Sequence, residues 1–287
     1  MFVIIGFVVA LGCVFGMFIA HGGNIAVVLH ALPFEMTTIM GAAIGAFVAT
    51  NQPKVLKATA AGLASCFKGS KYSKARYLEL MALLYEILQK ARKEGLLSIE
   101  KDVDQPQDSP LFKKYQTVGS DHHVIEFITD YLRMMVSGNL NAHEIESLMD
   151  SEIDTHHHEA NAPAAALQRL AGGLPAFGIV AAVLGVVNTM GSVGQPPAVL
   201  GAMIGSALVG TFLGILLSYG IFEPLAGLLE QKISEGTKEL QCIKTTLLAS
   251  MQGYAPQIAV EFGRKVLFST ERPSFNELED HVKGRKQ

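Results

Sequence analysis

Four long apolar stretches alternate with more polar segments along the chain. They cover residues 1–20, 32–50, 172–191 and 198–222. Each is close to the roughly 20 residues that an α-helix needs to cross a bilayer. A polar and Gly-containing break at 21–24 separates the first two, and a turn with two prolines at 192–197 separates the last two. The pattern predicts four transmembrane helices arranged as two hairpins.

The segment between the hairpins has the periodicity of packed soluble helices. Apolar side chains recur with i, i+3, i+4, i+7 spacing over residues 77–91, and Gly95 ends that helix. Further helices are predicted at 124–135 and from about Ala142 toward the third crossing. Residues 102–119 contain two prolines and are predicted to form a loop with at most one short turn.

A near-heptad rhythm of apolar residues follows the fourth crossing. It predicts a helix over 225–252, then a short helix over 257–267 and a mobile tail from Glu271. The predicted fold class is therefore all-α: a polytopic membrane protein with four transmembrane helices and a helical cytoplasmic domain.

Positive charge marks the predicted cytoplasmic side. All 23 Lys and Arg residues lie within 54–169 or 232–286, and the apolar hairpins contain none. Because Lys and Arg are retained on the cytoplasmic side of membrane hairpins, both charged blocks and both termini are predicted to be cytoplasmic. The predicted divisions are a first hairpin, a cytoplasmic helical domain, a second hairpin and C-terminal cytoplasmic helices, at 1–51, 52–170, 171–224 and 225–287.

Composition disfavours several classes of function. Charged residues form 17% of the chain and there are 28 glycines, which is typical of membrane helices and not of a soluble enzyme. A net charge of -3 with dispersed Lys and Arg disfavours nucleic-acid binding. No disulfide framework or zinc site is predicted, because the three cysteines, Cys13, Cys66 and Cys242, have neither C-x-x-C spacing nor an even count. A helical two-His metal site prefers i, i+4 spacing, which the His-His-His-Glu tract at 156–159 lacks, so no metal site is predicted there. No cofactor and no catalytic residue is predicted for the chain.

The predicted membrane helices lack an ion carrier of their own. Glu35 is the only acid in the first hairpin, and its place near the start of the second predicted helix indicates a position at the membrane surface. No ionisable residue is expected at mid-depth. Small-x-x-x-small pairs favour close packing on other helices, in other subunits or within the chain. These pairs are Gly12/Gly16, Gly41/Gly45, Gly201/Gly205 and Gly210/Gly214.

Several motifs in order along the chain resemble the MotA family of flagellar motor stator proteins, within the MotA/TolQ/ExbB proton channel superfamily. They are SKARY at 73–77, KARKEGLLSIEKD at 90–102, LPAFGIVAAV at 174–183, VGTFLGIL at 209–216 and GYAPQIAVEFGRK at 253–265. The chain is similar, more remotely, to ExbB and TolQ. An ExbB/TolQ-like energising subunit that drives envelope transport therefore stays open as an alternative.

The resemblance implies an assembly and partners. It implies a homopentameric ring in the lipid of the bacterial inner membrane around a dimer of MotB, whose single-pass helix carries the ion-binding aspartate. The ring and MotB would couple ion flow to torque on the rotor's switch-complex protein, FliG. Such a subunit is not an enzyme, and it requires no cofactor.

The resemblance also implies roles for six residues, each at a position that matches the family's motifs. These are rotor contact at Arg92 and Glu100, ion coupling and conformational change at Pro175 and Pro224, and channel lining near the partner's aspartate at Thr211 and Ala182.

Ala182 bears on the choice of ion. Sodium-driven relatives tend to carry Thr at this position, which supplies an extra oxygen for a hard cation, so the resemblance favours protons. One departure from the family pattern is Asn161, which stands just before the third crossing where many relatives carry Glu. Its loss of charge would weaken any role of that carboxylate in ion exit or helix contacts.

Overall fold

The computed structural model describes residues 2–138 and 141–282, and every regular element within them is helical. The α-helices are α1 Phe2–Ala20, α2 Ile25–Thr50, α3 Pro53–Cys66, α4 Lys74–Glu94, α5 Glu100–Asp104, α6 Pro110–Lys114, α7 Gln116–Gly119, α8 His122–Ser137, α9 Ala142–Met190, α10 Pro197–Leu217, α11 Glu223–Met251, α12 Pro256–Val266 and α13 Phe275–Val282. A 3₁₀ turn, Leu96–Ile99, precedes α5, and a π-helical turn, Ser218–Phe222, joins α10 to α11.

The chain folds into two compact units. The hairpin unit comprises Met1–Gly69 and Ala160–Gln231, and the loop unit comprises Ser70–Glu159 and Lys232–Gln287. Each unit combines segments that are distant in sequence, so its core depends on non-local contacts.

Four helices of the described chain are long and apolar enough to cross a membrane. They are α1, α2, the apolar part of α9, and the continuous helical stretch Pro197–Met251 that includes α10. The main apolar cluster of the hairpin unit has nine buried residues, and the described part of α1 buries none. Large apolar side chains instead stay exposed, such as Phe2, Phe34 and Leu208. An apolar exterior of this extent is typical of a surface that contacts lipid or other subunits.

Glycines bring α9 and α10 into close contact within the hairpin unit. A Cβ atom built on Gly178 would lie 2.8 Å from the Gly210 carbonyl oxygen and 3.0 Å from the Gly214 Cα. One built on Gly185 would lie 2.6 Å from the Cβ of Ala207. Small residues allow this close approach. The resulting van der Waals contacts stabilise helix pairs in lipid, where there is no hydrophobic drive for association. The Gly210/Gly214 pair therefore serves packing within the chain.

Two of the predicted glycine pairs face no neighbour. A Cβ built on any of the glycines in α1, or on Gly41 or Gly45 of α2, meets nothing within 4 Å. For these pairs, contact with other subunits stays a prediction.

The second helix begins earlier than the sequence predicted. Helix α2 starts at Ile25 and not near Leu32, because the Asn24 side chain accepts a hydrogen bond of 3.0 Å from the Ala26 N–H and caps it. Pro33 lies inside α2 without ending it. The earlier start moves Glu35 away from the end of the helix.

The loop unit has a larger apolar core than the hairpin unit, with 34 buried apolar residues in one cluster. The predicted face of α4 over residues 77–91 is buried in it. The Ser73 hydroxyl accepts from the Arg76 N–H at the start of α4, and Gly95 follows its end with φ 90°. Glycine is favoured there because other residues rarely adopt a positive φ.

The sequence underestimated the helical content of two segments in the loop unit. The predicted loop at 102–119 includes most of α5 and all of α6 and α7, with Ser109 capping α6. Buried Phe112 and Val118 fix these short helices to the core, which compensates for the low stability of helices of this length. The predicted mobile tail contains α13, whose Leu278 is also buried.

Candidate functional site

The proposed channel-lining residues lie where α9 and α10 approach each other. Ala182 is 9% exposed, and a Cβ on Gly210 would lie 3.1 Å from its backbone nitrogen. Gly210 immediately precedes Thr211, which is partly exposed on α10. The fold therefore brings the two sequence-predicted positions to adjacent parts of one helix pair, and their role at the channel stays a prediction.

Glu35 lies at the same place on this helix pair. A Cβ on Gly210 would lie 2.6 Å from Oε2 of Glu35 and 3.2 Å from the Cβ of Ala181. Glu35 is ten residues beyond Ile25, which is about 15 Å along a helix and half the thickness of a bilayer core. Glu35 therefore lies farther inside α2 than the sequence predicted, because the cap at Asn24 was not recognised, and its depth in a membrane stays a prediction.

Both predicted coupling prolines lie inside continuous helical structure. Helix α9 runs through Pro175, and the Leu174 carbonyl oxygen lies 2.7 Å from a Cβ built on Gly214. Pro224 follows the π-helical turn, in which the Glu223 N–H donates to the Ser218 carbonyl oxygen five residues earlier. Neither proline ends its helix, and the π turn accommodates the lost N–H of Pro224. Isolated π turns are frequent at functional sites.

Arg92 and Glu100 are exposed on the loop unit. Arg92 is in the last turn of α4 and Glu100 is the first residue of α5. Neither side chain forms a hydrogen bond or ion pair with any residue in the described parts of the chain. Nearby, Lys90 is paired with Asp102 at 2.7 Å. Two free charges of opposite sign can therefore contact a partner without breaking an internal ion pair.

A buried ion pair in the loop unit was not identified from the sequence. Arg76 donates two hydrogen bonds to Glu239, at 2.6 and 2.9 Å, and one to Asp121 at 2.7 Å. Arg76 and Glu239 are 4% and 2% exposed. Burial raises the pKa of Glu239, although Arg76 favours its ionised form. For Asp121, burial favours a higher pKa, but Lys71 and Arg76 outweigh it and the pKa is lowered.

The three histidines at 156–158 contact separate groups. The His156 ring packs edge-on against His123 with centroids 5.5 Å apart, and Nδ1 of His157 lies 2.9 Å from the Thr237 hydroxyl. His158 Nε2 is 3.6 Å from a carboxylate oxygen of Asp154. Burial lowers the pKa of His156, so its ring stays neutral at neutral pH. Side chains that diverge in this way do not converge on one metal ion.

Family models match both halves of the chain. Residues 4–95 match the model described as Motility protein A N-terminal, and residues 120–242 match the MotA/TolQ/ExbB proton channel family. The chain is 50% identical over 286 residues to Motility protein A of Escherichia coli strain K12, across 100% of this chain and 96% of that protein. The chain belongs to the motility protein A (MotA) family. Chemotaxis protein LafT of Vibrio parahaemolyticus is 36% identical over 275 residues, covering 96% of each chain.

Solved structures have the same fold as this MotA family member. The structure of C. jejuni MotAB matches with a TM-score of 0.75 and 23% identity over 95% of this chain and 98% of that one. The flagellar MotAB stator complex from Bacillus subtilis matches with a TM-score of 0.71 and 25% identity over 99% and 98%. The chain is thus a stator subunit of the bacterial flagellar motor with an ion-channel role, and it belongs to a non-enzymatic family.

Proposed function

We propose that this chain forms a homopentameric, four-pass ring in the bacterial inner membrane, with both termini cytoplasmic. The exposed apolar faces of the hairpin unit and the unused glycines of α1 and α2 support contacts with lipid and with neighbouring copies. The four segments 1–51, 52–170, 171–224 and 225–287 are proposed to alternate between membrane and cytoplasm. This topology agrees with the absence of Lys and Arg from both apolar hairpins.

Ion flow is proposed to require MotB, whose aspartate would lie near Ala182 and Thr211. An aspartate among apolar helices has a raised pKa, so it can alternate between protonated and ionised states as ions pass. Each change of charge alters which packing the surrounding helices prefer. Pro175 and the π turn before Pro224 are proposed to be the points at which α9 and α10 deform.

Torque is proposed to pass to the rotor protein FliG through Arg92 and Glu100. The observation that supports this is that both charges are exposed and unpaired within the described chain, whereas Lys90 nearby is paired. A charge-reversing Arg92→Glu variant should reduce swimming strongly while membrane levels of the complex stay normal. Normal swimming of that variant would remove the assignment, and Lys113→Glu, at a residue already paired with Asp108, is the matched control.

The match of residues 4–95 to the MotA N-terminal family model favours the stator over the ExbB/TolQ-like energiser. Deletion of the gene separates the two functions. Paralysed cells with normal flagella would support the stator. Lost nutrient uptake with intact swimming would support the energiser and contradict our proposal.

Protons are the proposed ion, and this rests on the alanine at position 182. Exchange of sodium for potassium in the medium at constant pH should leave swimming unchanged. Swimming that stops without sodium would exclude the proton assignment.

A further inference from the structure

An apolar groove lies beside Arg92 on the loop unit. We call it the Arg92 groove; it is formed by the end of α4, the 3₁₀ turn, α8 and the turn between α11 and α12. Its volume is about 360 Å³, and its lining includes Leu88, Ala91, Arg92, Leu96, Leu132 and Tyr254.

The shape of the groove is fixed by its flanking turns. Gly253 has φ 88°, and the Tyr254 N–H donates to the Ala249 carbonyl oxygen at 3.1 Å. The Tyr254 ring packs on Phe262 with centroids 5.1 Å apart, yet it stays 45% exposed. An aromatic side chain held in place before binding loses little entropy on contact and is a frequent hot spot in interfaces. Leu96 adds a second exposed apolar side chain at 43%.

We propose that the Arg92 groove receives an exposed apolar side chain of FliG, which acts as an anchor beside the charged contact at Arg92. This inference rests on the rotor contact proposed above and identifies the chemistry of that contact. The unpaired guanidinium at the rim requires an acidic group, and the apolar floor requires an apolar one. On a helix, residues three or four apart present both groups to one surface.

The apolar groove can add binding affinity that exposed ion pairs alone do not provide. Exposed ion pairs typically change an affinity by about fivefold or less and are screened by salt. Burial of apolar surface is not weakened by salt. An apolar anchor would add affinity that salt does not weaken, so the salt dependence of binding separates the two contributions.

The test measures binding of the purified complex of this chain with MotB, in detergent, to immobilised FliG at 0.05 and 0.5 M salt. The wild-type complex should keep measurable binding at 0.5 M salt. Tyr254→Ala should weaken binding about tenfold or more at both salt concentrations, as expected for a hot-spot aromatic. Arg92→Glu should act mainly at 0.05 M. Phe275→Ala, at an exposed aromatic that does not line the groove, should bind like wild type.

Ser250→Leu provides a second variant that fills the groove without removing the aromatic ring. It should cause a similar loss of binding, and thermal melting of each complex shows that the fold is intact. If Arg92→Glu lost binding while both groove variants kept wild-type affinity at 0.5 M salt, the apolar anchor would be overturned and the charged contact would stand. No effect of Arg92→Glu would overturn both. A change in the mass of the purified ring with Tyr254→Ala would identify the groove as a contact between copies and also overturn the proposal.

Discussion

The hairpin unit and the loop unit differ in how much apolar surface they bury. The main apolar cluster of the hairpin unit has nine buried residues, and many large apolar side chains of this unit are exposed. The cluster of the loop unit has 34 buried residues, with ion pairs such as Lys90–Asp102 and Arg133–Asp130 around it. The first is built for a surrounding of lipid and neighbouring helices, and the second for water. Close contacts at glycines contribute most to packing in the hairpin unit, whereas apolar burial and ion pairs contribute most to the stability of the loop unit.

The largest effect is expected from Gly178→Val in the hairpin unit. The added side chain meets the Gly210 carbonyl and Gly214, which are backbone groups that cannot move aside. Helices α9 and α10 should separate, with loss of assembled complex in size-exclusion chromatography and loss of swimming. Gly172→Val, in the same helix but with nothing within 4 Å, is the control. Equal assembly of both variants would show that the close packing is dispensable.

The loop unit should be most sensitive at its buried ion pair. Arg76→Met leaves Glu239 buried without its partner, which typically costs about 3–5 kcal/mol. Lys113→Met removes one exposed pair, with Asp108 at 3.6 Å, and should cost about 1 kcal/mol or less. Chemical unfolding followed by circular dichroism compares the two. The double variant Arg76→Met with Glu239→Leu should recover part of the loss, and its failure to do so would indicate another role for Arg76.

Glu35 is expected to affect ion flow more than assembly. Glu35→Gln keeps the shape of the side chain beside Gly210 but removes its charge. Proton flux through the complex with MotB in liposomes should fall several-fold, because a titratable group beside the proposed channel-lining residues is lost. His30→Gln removes the other ionisable group of α2, which is exposed, and should leave the flux unchanged. Unchanged flux with Glu35→Gln would assign Glu35 to packing alone.

The smallest effect is expected at the start of α13. Glu277 accepts from the Ser274 N–H at 2.6 Å, and the Ser274 hydroxyl accepts from the Glu277 N–H at 3.2 Å, which is a capping box. These bonds and Lys74 lower the pKa of Glu277 from 4.5 to about 2. Because the folded pKa is the lower one, the stabilisation is present above pH 4.5 and is lost as the pH falls toward 2.

Hydrogen exchange of the α13 amides measures this effect. Protection should fall between pH 4.5 and pH 2 after correction for the intrinsic rates. Glu277→Ala should show low protection at pH 6 and no further loss. A variant that stays as protected as wild type at pH 6 would exclude the capping role.

The long apolar helices and the buried face of α4 were predictable because each gives a local signal in the sequence. Apolar length, the charge map and the 3.6-residue period are all read from residues close together in sequence. The short helices α5 to α7 were not predictable, because their own propensity is weak and buried residues such as Phe112 hold them in place. The proposed site was only partly predictable, since its six residues came from the family resemblance and their roles stay predictions.

The sequence by itself determined where apolar helices occur, where Lys and Arg residues lie along the chain and to which family the motifs are similar. Only the tertiary structure decided that Glu35 lies against Gly210, that Arg76 is buried with Glu239, and that Arg92 borders an apolar groove. The physical reason is the same in each case. These contacts join residues from about 40 to 175 positions apart, and their energies depend on burial, which no local pattern of residues encodes.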